Sequence, residues 1–179
     1  MPIKKLYLLY MKYTNDVIKF IQENEPKEII FYEVYWGRGD ALIKGTSELR
    51  FTTGIRLIEI IQADADKILK DLLKFQSFIE EEYDPEEWGD NLSFGHWYSE
   101  VIGDPIESLF HNAVIEYKTI VTTDHSIVEY IESKAPTFED LLRIEDNVLE
   151  LKDDDLDHDD YGIIISGKII DLPNMYMKI

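Results

Sequence analysis

Apolar positions along the chain fall into short runs that either alternate with polar positions or are apolar throughout, and both patterns predict β-strands. In the runs 3–13 and 28–36 the apolar side chains occupy both faces, which is typical of a central strand covered on both sides. Isoleucine pairs such as Ile29-Ile30 and Ile60-Ile61 add β-branched residues, which favour strands. The predicted strands are residues 3–13, 28–36, 47–53, 55–62, 113–122, 147–152, 161–170 and the edge strand 174–179.

Glycine, proline and aspartate indicate where these strands turn. Gly37 and Gly39 predict a turn directly after the second strand, and Thr53-Gly54 predicts the centre of a hairpin. Residues 84–105 are rich in glycine and proline and predict a long loop, a common place for function. The aspartate-rich run 153–160 predicts the connection of a last hairpin.

Apolar residues three and four positions apart predict helices between the strands. The strongest helix covers residues 64–82, where Asp64 or Asp66 lies at the start and Asp84-Pro85 closes the element. Shorter helices are predicted at 15–25, 106–111, 124–133 and 137–143, and Thr137 to Asp140 resembles a capping box. These elements predict a single acidic α+β domain over residues 1–179, with a mixed or mostly antiparallel sheet and about four to five helices packed against it.

Negative charge is concentrated in the later part of the chain. The net charge is −19, from 18 Lys and Arg against 37 Asp and Glu. Residues 1–79 hold 12 basic and 11 acidic side chains, so residues 80–179 hold 18 − 12 = 6 basic against 37 − 11 = 26 acidic ones. Nucleic acid and anionic membranes require Lys and Arg to neutralise phosphates, so this distribution argues against direct binding to either. It favours a basic partner instead.

The chain contains no cysteine, which excludes disulfide bonds and thiolate metal sites. Its start, MPIKKLYLLYMKY, resembles a signal peptide, but Lys12 interrupts the apolar stretch and no small-residue cleavage site follows. No apolar run approaches the ~20 residues of a membrane-spanning helix. We therefore expect a cytoplasmic protein that makes no membrane contact.

Two stretches carry much of the acidic excess, and we name them acidic segment A (residues 80–90) and acidic segment B (residues 153–160). Glu80, Glu81 and Glu82 fall at the end of the strongest predicted helix, where the helix dipole favours cations. A local rule broken in this way indicates a functional demand, unless the helix end is simply solvated. Segment B, if extended at ~3.3 Å per residue, spans roughly 26 Å, over which one DNA strand carries roughly eight phosphates. Segment B is therefore either a phosphate-like track or a solvated loop.

Aromatic residues in the long loop offer anchors for a protein partner. Trp88 and Trp97 are interleaved with acids and glycines, and tryptophan is favoured at the centres of protein interfaces. The alternative is that both side chains pin the loop to the core. The predicted partner-binding residues are Glu80, Glu81, Glu82, Asp84, Glu86, Glu87, Trp88, Asp90, Trp97, Asp153, Asp154, Asp155, Asp157, Asp159 and Asp160.

Motifs for catalysis or metal binding are missing from the sequence. Asp155, Asp157 and Asp159 match the first three ligands of an EF-hand loop, but Asp160 stands where glycine is required and Ser166 where glutamate is required. The four histidines are scattered, and no phosphate-binding loop or nucleophile motif occurs. The balance favours a binding protein over an enzyme, and no cofactor is predicted.

The leading hypothesis is an inhibitor or immunity-type protein that neutralises a basic partner, in particular a nuclease or another nucleic-acid enzyme, by electrostatic and steric occlusion. One alternative is a small enzyme with a carboxylate and histidine site, which a divalent ion would stabilise at stoichiometric concentration. The other is a non-inhibitory scaffold or phage-type accessory protein, which would self-associate. The inhibitor hypothesis predicts loss of binding when charges are reversed in either acidic segment.

Overall fold

The structure is a computed structural model and describes residues 18–88, 97, 100, 101, 103 and 113–171. Within these residues the fold is α+β and a long antiparallel sheet dominates it, which confirms the predicted class. The elements in chain order are α1 (residues 18–24), β1 (Glu28–Ile43), β2 (Leu49–Asp64), α2 (Ala65–Glu81), α3 (Pro85–Trp88), β3 (Val114–Thr122), α4 (Ser126–Lys134), α5 (Phe138–Leu142), β4 (Val148–Ile165) and β5 (Lys168–Asp171). The strands and helix predicted at 3–13, 174–179 and 106–111 lie outside the described residues.

The sheet has the order β3-β2-β1-β4-β5, and all four neighbouring pairs are antiparallel. The central strand β1 therefore has a partner along each edge, with Phe31 opposite both Ile61 and Ile163. The two faces of the sheet are covered by different helices. Ile29 and Phe31 pack with the buried stripe of α2, whereas Ile30, Tyr32 and Val34 pack with α4 and α5. This double cover explains why β1 is apolar on both sides.

β1, β2 and β4 continue beyond the covering helices as a three-stranded ribbon, which we call the distal ribbon (residues 36–43, 49–56 and 148–157). Ala41, Ile55 and Val148 form a small separate core on one side of it. The alternation along β1 leaves Gly37 and Gly39 buried on that side, while Trp36 and Arg38 are exposed on the other. The ribbon thus presents one free sheet face, the one that α4 and α5 cover further along β1.

Several predicted turns are wrong because the strands continue through them. Gly37 and Gly39 lie inside β1, and the hairpin between β1 and β2 turns near Gly45, which has φ 87°. Thr53-Gly54 is not a hairpin centre either. Gly54, at φ 70°, is the extra residue of a β-bulge opposite Gly37 and Arg38, so residues 49–64 form one strand.

The glycine at position 37 is required by a close approach between neighbouring strands. A Cβ atom added there would collide with the backbone carbonyl oxygen of Asp155 on β4. We expect Gly37→Ala to lower the free energy of unfolding in urea by about 2–3 kcal/mol, because backbone cannot move aside as a side chain can. Gly45→Ala is the control, since its added Cβ meets nothing within 4 Å and only its φ of 87° opposes alanine. Equal losses in the two variants would contradict this explanation.

Acidic segment B is not a hairpin loop, which corrects the prediction for residues 147–170. It lies inside β4 and pairs with β1, where three one-residue bulges place Leu149, Asp153 and Asp159 out of register. The hairpin forms later, at Ser166-Gly167, whose φ values of 49° and 77° suit a two-residue turn.

Two helices begin where the sequence predicts, because their N-caps depend only on hydrogen bonds between residues two or three positions apart. α2 begins after Asp64, whose Oδ1 accepts from the backbone N–H groups of Asp66 and Lys67. The capping box of α5 is present, with Thr137 and Asp140 bonded in both directions. α4 differs, because its N-cap His125 makes no side-chain cap hydrogen bond, and the preceding Asp124 accepts from the N–H group and the hydroxyl of Ser126, at 3.0 and 2.6 Å.

The hydrogen bonds that Asp124 accepts directly before α4 predict a pH dependence. The hydrogen bonds from Ser126 hold the pKa of Asp124 below its ordinary value of 3.8, so they stabilise the fold above that pH. This contribution is lost as the pH falls through the folded-state pKa. Asp124→Ala should therefore unfold at lower urea concentration than the wild type at pH 7, and the difference should shrink below pH 3.8. A difference that stays constant with pH would show that the ionised carboxylate is not the cause.

Candidate functional site

Acidic segment A forms one surface at the end of α2 and along α3. Phe78 and Ile79 are buried and fix the last turn of α2, so the glutamates that follow point to solvent. Asp84 then accepts from the N–H group of Glu86 at 2.9 Å and starts α3. All six described acids of this surface are exposed: Glu80, Glu81, Glu82, Asp84, Glu86 and Glu87.

Among the described residues, no cation compensates the charges of this surface. Within the described part of the chain, no Lys, Arg or His forms an ion pair with any of the six acids, and the last turn of α2 contains no basic residue. Elsewhere the protein does pair its surface acids, as in Arg143 with Glu139 at 2.9 Å and Lys44 with Glu145 at 3.1 Å. Segment A is therefore a concentrated negative surface whose helix end opposes the helix dipole.

Two tryptophans underlie segment A. Trp88 packs edge-on against Phe78 with ring centroids 5.1 Å apart and is half-buried. Trp97 is only 2% exposed and lies 5.2 Å from Phe75 and 6.0 Å from Phe78. Trp97 is thus a core residue, and we remove it from the contact residues predicted from the sequence. Asp90 lies outside the described residues.

Acidic segment B alternates between the two faces of the sheet because it is a strand. By register Asp155 is opposite Arg38, Asp157 opposite Trp36 and Asp160 opposite Val34, so these three aspartates share the face of α4 and α5. Asp154 is opposite Gly39 and belongs to the other face, whereas Asp153 and Asp159 are bulge positions. A single phosphate-like track of six aspartates is therefore not formed.

Segment A and three aspartates of segment B lie on opposite faces of the sheet. α2 and α3 cover the face of Phe31, and Trp88 joins that same cluster. Asp155, Asp157 and Asp160 share the face of Val34, which packs against α4 and α5. The sequence left open whether the two segments share one face, and the structure separates segment A from Asp155, Asp157 and Asp160, so these two sets of acids form separate surfaces.

A cleft of about 340 Å³ opens on the distal ribbon beside segment B. Trp36 lines it and is 46% exposed, and the guanidinium carbon of Arg56 lies 5.3 Å from the centroid of its ring. Sequence reasoning missed Trp36 because it closes the apolar run EIIFYEVYW and resembles one more core residue. The cleft is lined by Trp36, Gly37, Arg38, Thr53, Gly54, Asp155 and Asp157.

A second feature missed from the sequence is a carboxylate and tyrosine cluster on the sheet. Glu33 is only 6% exposed, accepts from the hydroxyl of Tyr35 at 3.0 Å, and lies opposite Glu59 on β2. Burial raises the pKa of Tyr117 above 10.0, and the nearby Glu59 adds to this effect.

The described residues contain no group of three or more side chains suited to hold a metal ion. His125 is engaged structurally, with Nε2 2.7 Å from the carbonyl oxygen of Gly54.

No protein-family model, curated protein or solved structure matches the chain. Among the helices of the described residues, none has both the length and the apolar character needed to cross a membrane.

Proposed function

We propose that this protein binds a basic partner protein through acidic segment A and neutralises it. The observation that carries the proposal is the set of six exposed acids at residues 80–87 that no cation of the described chain compensates. A partner with a cationic cleft, such as a nuclease or another nucleic-acid enzyme, would supply the missing charges. The cytoplasmic location expected from the sequence belongs to the same proposal.

The physical support is electrostatic and structural. Clustered charges of one sign accelerate association with an oppositely charged cleft, and the acceleration falls with ionic strength. The buried Phe78 and the packing of Trp88 on it hold the acids on a defined base, so little order has to be created on binding. Three glutamates at the end of α2 lower the stability of the helix, and a binding role accounts for that loss.

The test is capture of a partner from the lysate of the native cell at low and moderate salt, followed by mass spectrometry. The wild type is compared with the variant Glu80→Lys, Glu81→Lys, Glu82→Lys. The matched control reverses three exposed acids elsewhere in the chain, Glu48, Glu116 and Glu129, and changes the net charge equally. A basic nucleic-acid enzyme held by the wild type and the control, and lost by the segment A variant, supports the proposal. Retention by all three proteins, or loss in the control as well, overturns it.

A further inference from the structure

We propose that the cleft at Trp36 is a second binding site and that it takes an arginine side chain of a protein partner. This site lies on the opposite face of the sheet from segment A, so the proposal stands independently of the function proposed above. Three neighbouring strands build it in one cross-strand row: Arg56 on β2, Trp36 on β1 and Asp157 on β4.

The indole ring of Trp36 is suited to bind a cation. Arg56 already lies over it, with 5.3 Å between the guanidinium carbon and the ring centroid, which shows that the ring accepts this contact geometry. An indole ring has two faces and an edge, and Trp36 is 46% exposed beside the open cleft. Arg56 is not among the residues that line the cleft, so a second guanidinium that approaches the ring from the cleft does not have to displace it.

The carboxylates beside Trp36 provide the negative charge that would pair with a bound cation. Asp155 forms only a long ion pair with Arg38, at 3.9 Å, with both side chains mostly exposed. Asp157 is exposed and has no cationic partner within the described part of the chain. The two aspartates lie two positions apart on one face of β4, about 6.6 Å along the strand. An incoming guanidinium that stacks on Trp36 therefore has a carboxylate to bind.

The shape of the cleft favours arginine over a compact cation. A planar guanidinium stacks on an aromatic ring and binds a carboxylate through two parallel N–H groups, whereas an ammonium does neither. A volume of about 340 Å³ lies at the lower end of the range for small-molecule pockets, roughly 300–1,000 Å³, and suits one side chain.

The surroundings of the cleft indicate that the arginine belongs to a protein. Phe51, 65% exposed, lies opposite Asp40 on the same face of the ribbon as Trp36. Leu49, 47% exposed, lies further along that face, opposite Leu42. Exposed aromatic and aliphatic side chains on the same face as a charged cleft are the composition of a protein contact surface, with Trp and Arg as its usual energetic centres.

The experiment uses the full chain labelled with ¹⁵N and two small probes. N-acetyl-arginine N-methylamide is titrated against the protein, and N-acetyl-citrulline N-methylamide, which has nearly the same shape without the charge, is the control. The chain has three tryptophans, so the indole signal of Trp36 is assigned as the one lost in Trp36→Phe. We expect saturable shifts at the Trp36 indole and the Asp157 amide with the arginine probe and not with the citrulline probe.

Two variants complete the test. Asp157→Asn should weaken binding of the arginine probe about fivefold, the loss expected for one partly exposed charge contact. The variant with Glu80, Glu81 and Glu82 changed to lysine should bind this probe as the wild type does, which separates failure of this site from failure of segment A. The proposal is overturned if the citrulline probe shifts the same signals equally, if Asp157→Asn binds unchanged, or if Trp36 does not respond.

Discussion

The variant Glu80→Lys, Glu81→Lys, Glu82→Lys is expected to lose the basic partner and at the same time to unfold at a higher urea concentration than the wild type. Binding falls because the three reversals raise the net charge from −19 to −13, all at the proposed contact surface. We expect affinity to fall by at least about 100-fold, since reversing contact charges removes attraction and adds repulsion. Isothermal titration calorimetry with the captured partner measures this loss.

The gain in stability has a separate cause. Cations at a helix C-terminus are favourable by about 0.3–1 kcal/mol each, and the last turn of α2 has none. For the three lysines at the end of α2 the sum is about 1–3 kcal/mol in the free energy of unfolding. The combination of weaker binding with higher stability distinguishes a binding surface from an ordinary solvated helix end.

The control is the variant with reversed charges at Glu48, Glu116 and Glu129, which should keep most of the affinity. If it loses as much affinity as the segment A variant, net charge and not position determines binding. If the segment A variant binds normally, the glutamates at the end of α2 serve solubility alone.

Trp97→Ala is expected to lower the free energy of unfolding by about 3–5 kcal/mol, the usual loss for a large aromatic side chain removed from a core. The ring is 2% exposed and contacts the rings of Phe75 and Phe78, so its removal leaves a cavity under α2. A loss of this size is a large share of the stability of a domain, roughly 5–15 kcal/mol. Urea unfolding followed by circular dichroism measures it.

Trp88→Ala is the matched comparison, because Trp88 packs on the same Phe78 but is only half-buried. Its loss should be about half as large, since less apolar surface returns to water. A loss below about 1 kcal/mol for Trp97→Ala would contradict a core position and return Trp97 to the candidate contact residues. The folded fraction of Trp97→Ala should still bind the partner, because segment A remains in place.

For several elements, signals within a few neighbouring residues were sufficient to predict where the element begins and ends. The amphipathic pattern of α2 and the cap at Asp64 predicted the helix to within a residue at each end. The capping box at Thr137 was likewise visible, because both of its hydrogen bonds join residues three positions apart.

Such neighbouring signals did not show which residues lie inside a strand and which lie in a turn. Gly37 was expected in a turn, and it is a glycine for a different reason, since the backbone of Asp155 leaves no room for a Cβ atom. Aspartates are rare in strands, so segment B predicted a loop, but pairing with β1 supplies the backbone hydrogen bonds that hold it extended. Ser166-Gly167 carried the true turn signal, and only the pairing of β4 with β5 distinguishes it from the others.

The sequence by itself thus determined the α+β class, the helix caps and the concentration of negative charge after residue 80. Only the tertiary structure decided that segment A lies on the opposite face from Asp155, Asp157 and Asp160, that Trp97 is buried and that Trp36 stands open beside Asp157. The reason is the range of the interactions. Caps and helix periods depend on residues within one or two turns, whereas register, bulges and burial depend on strands that are more than a hundred residues apart in the chain, as β1 and β4 are.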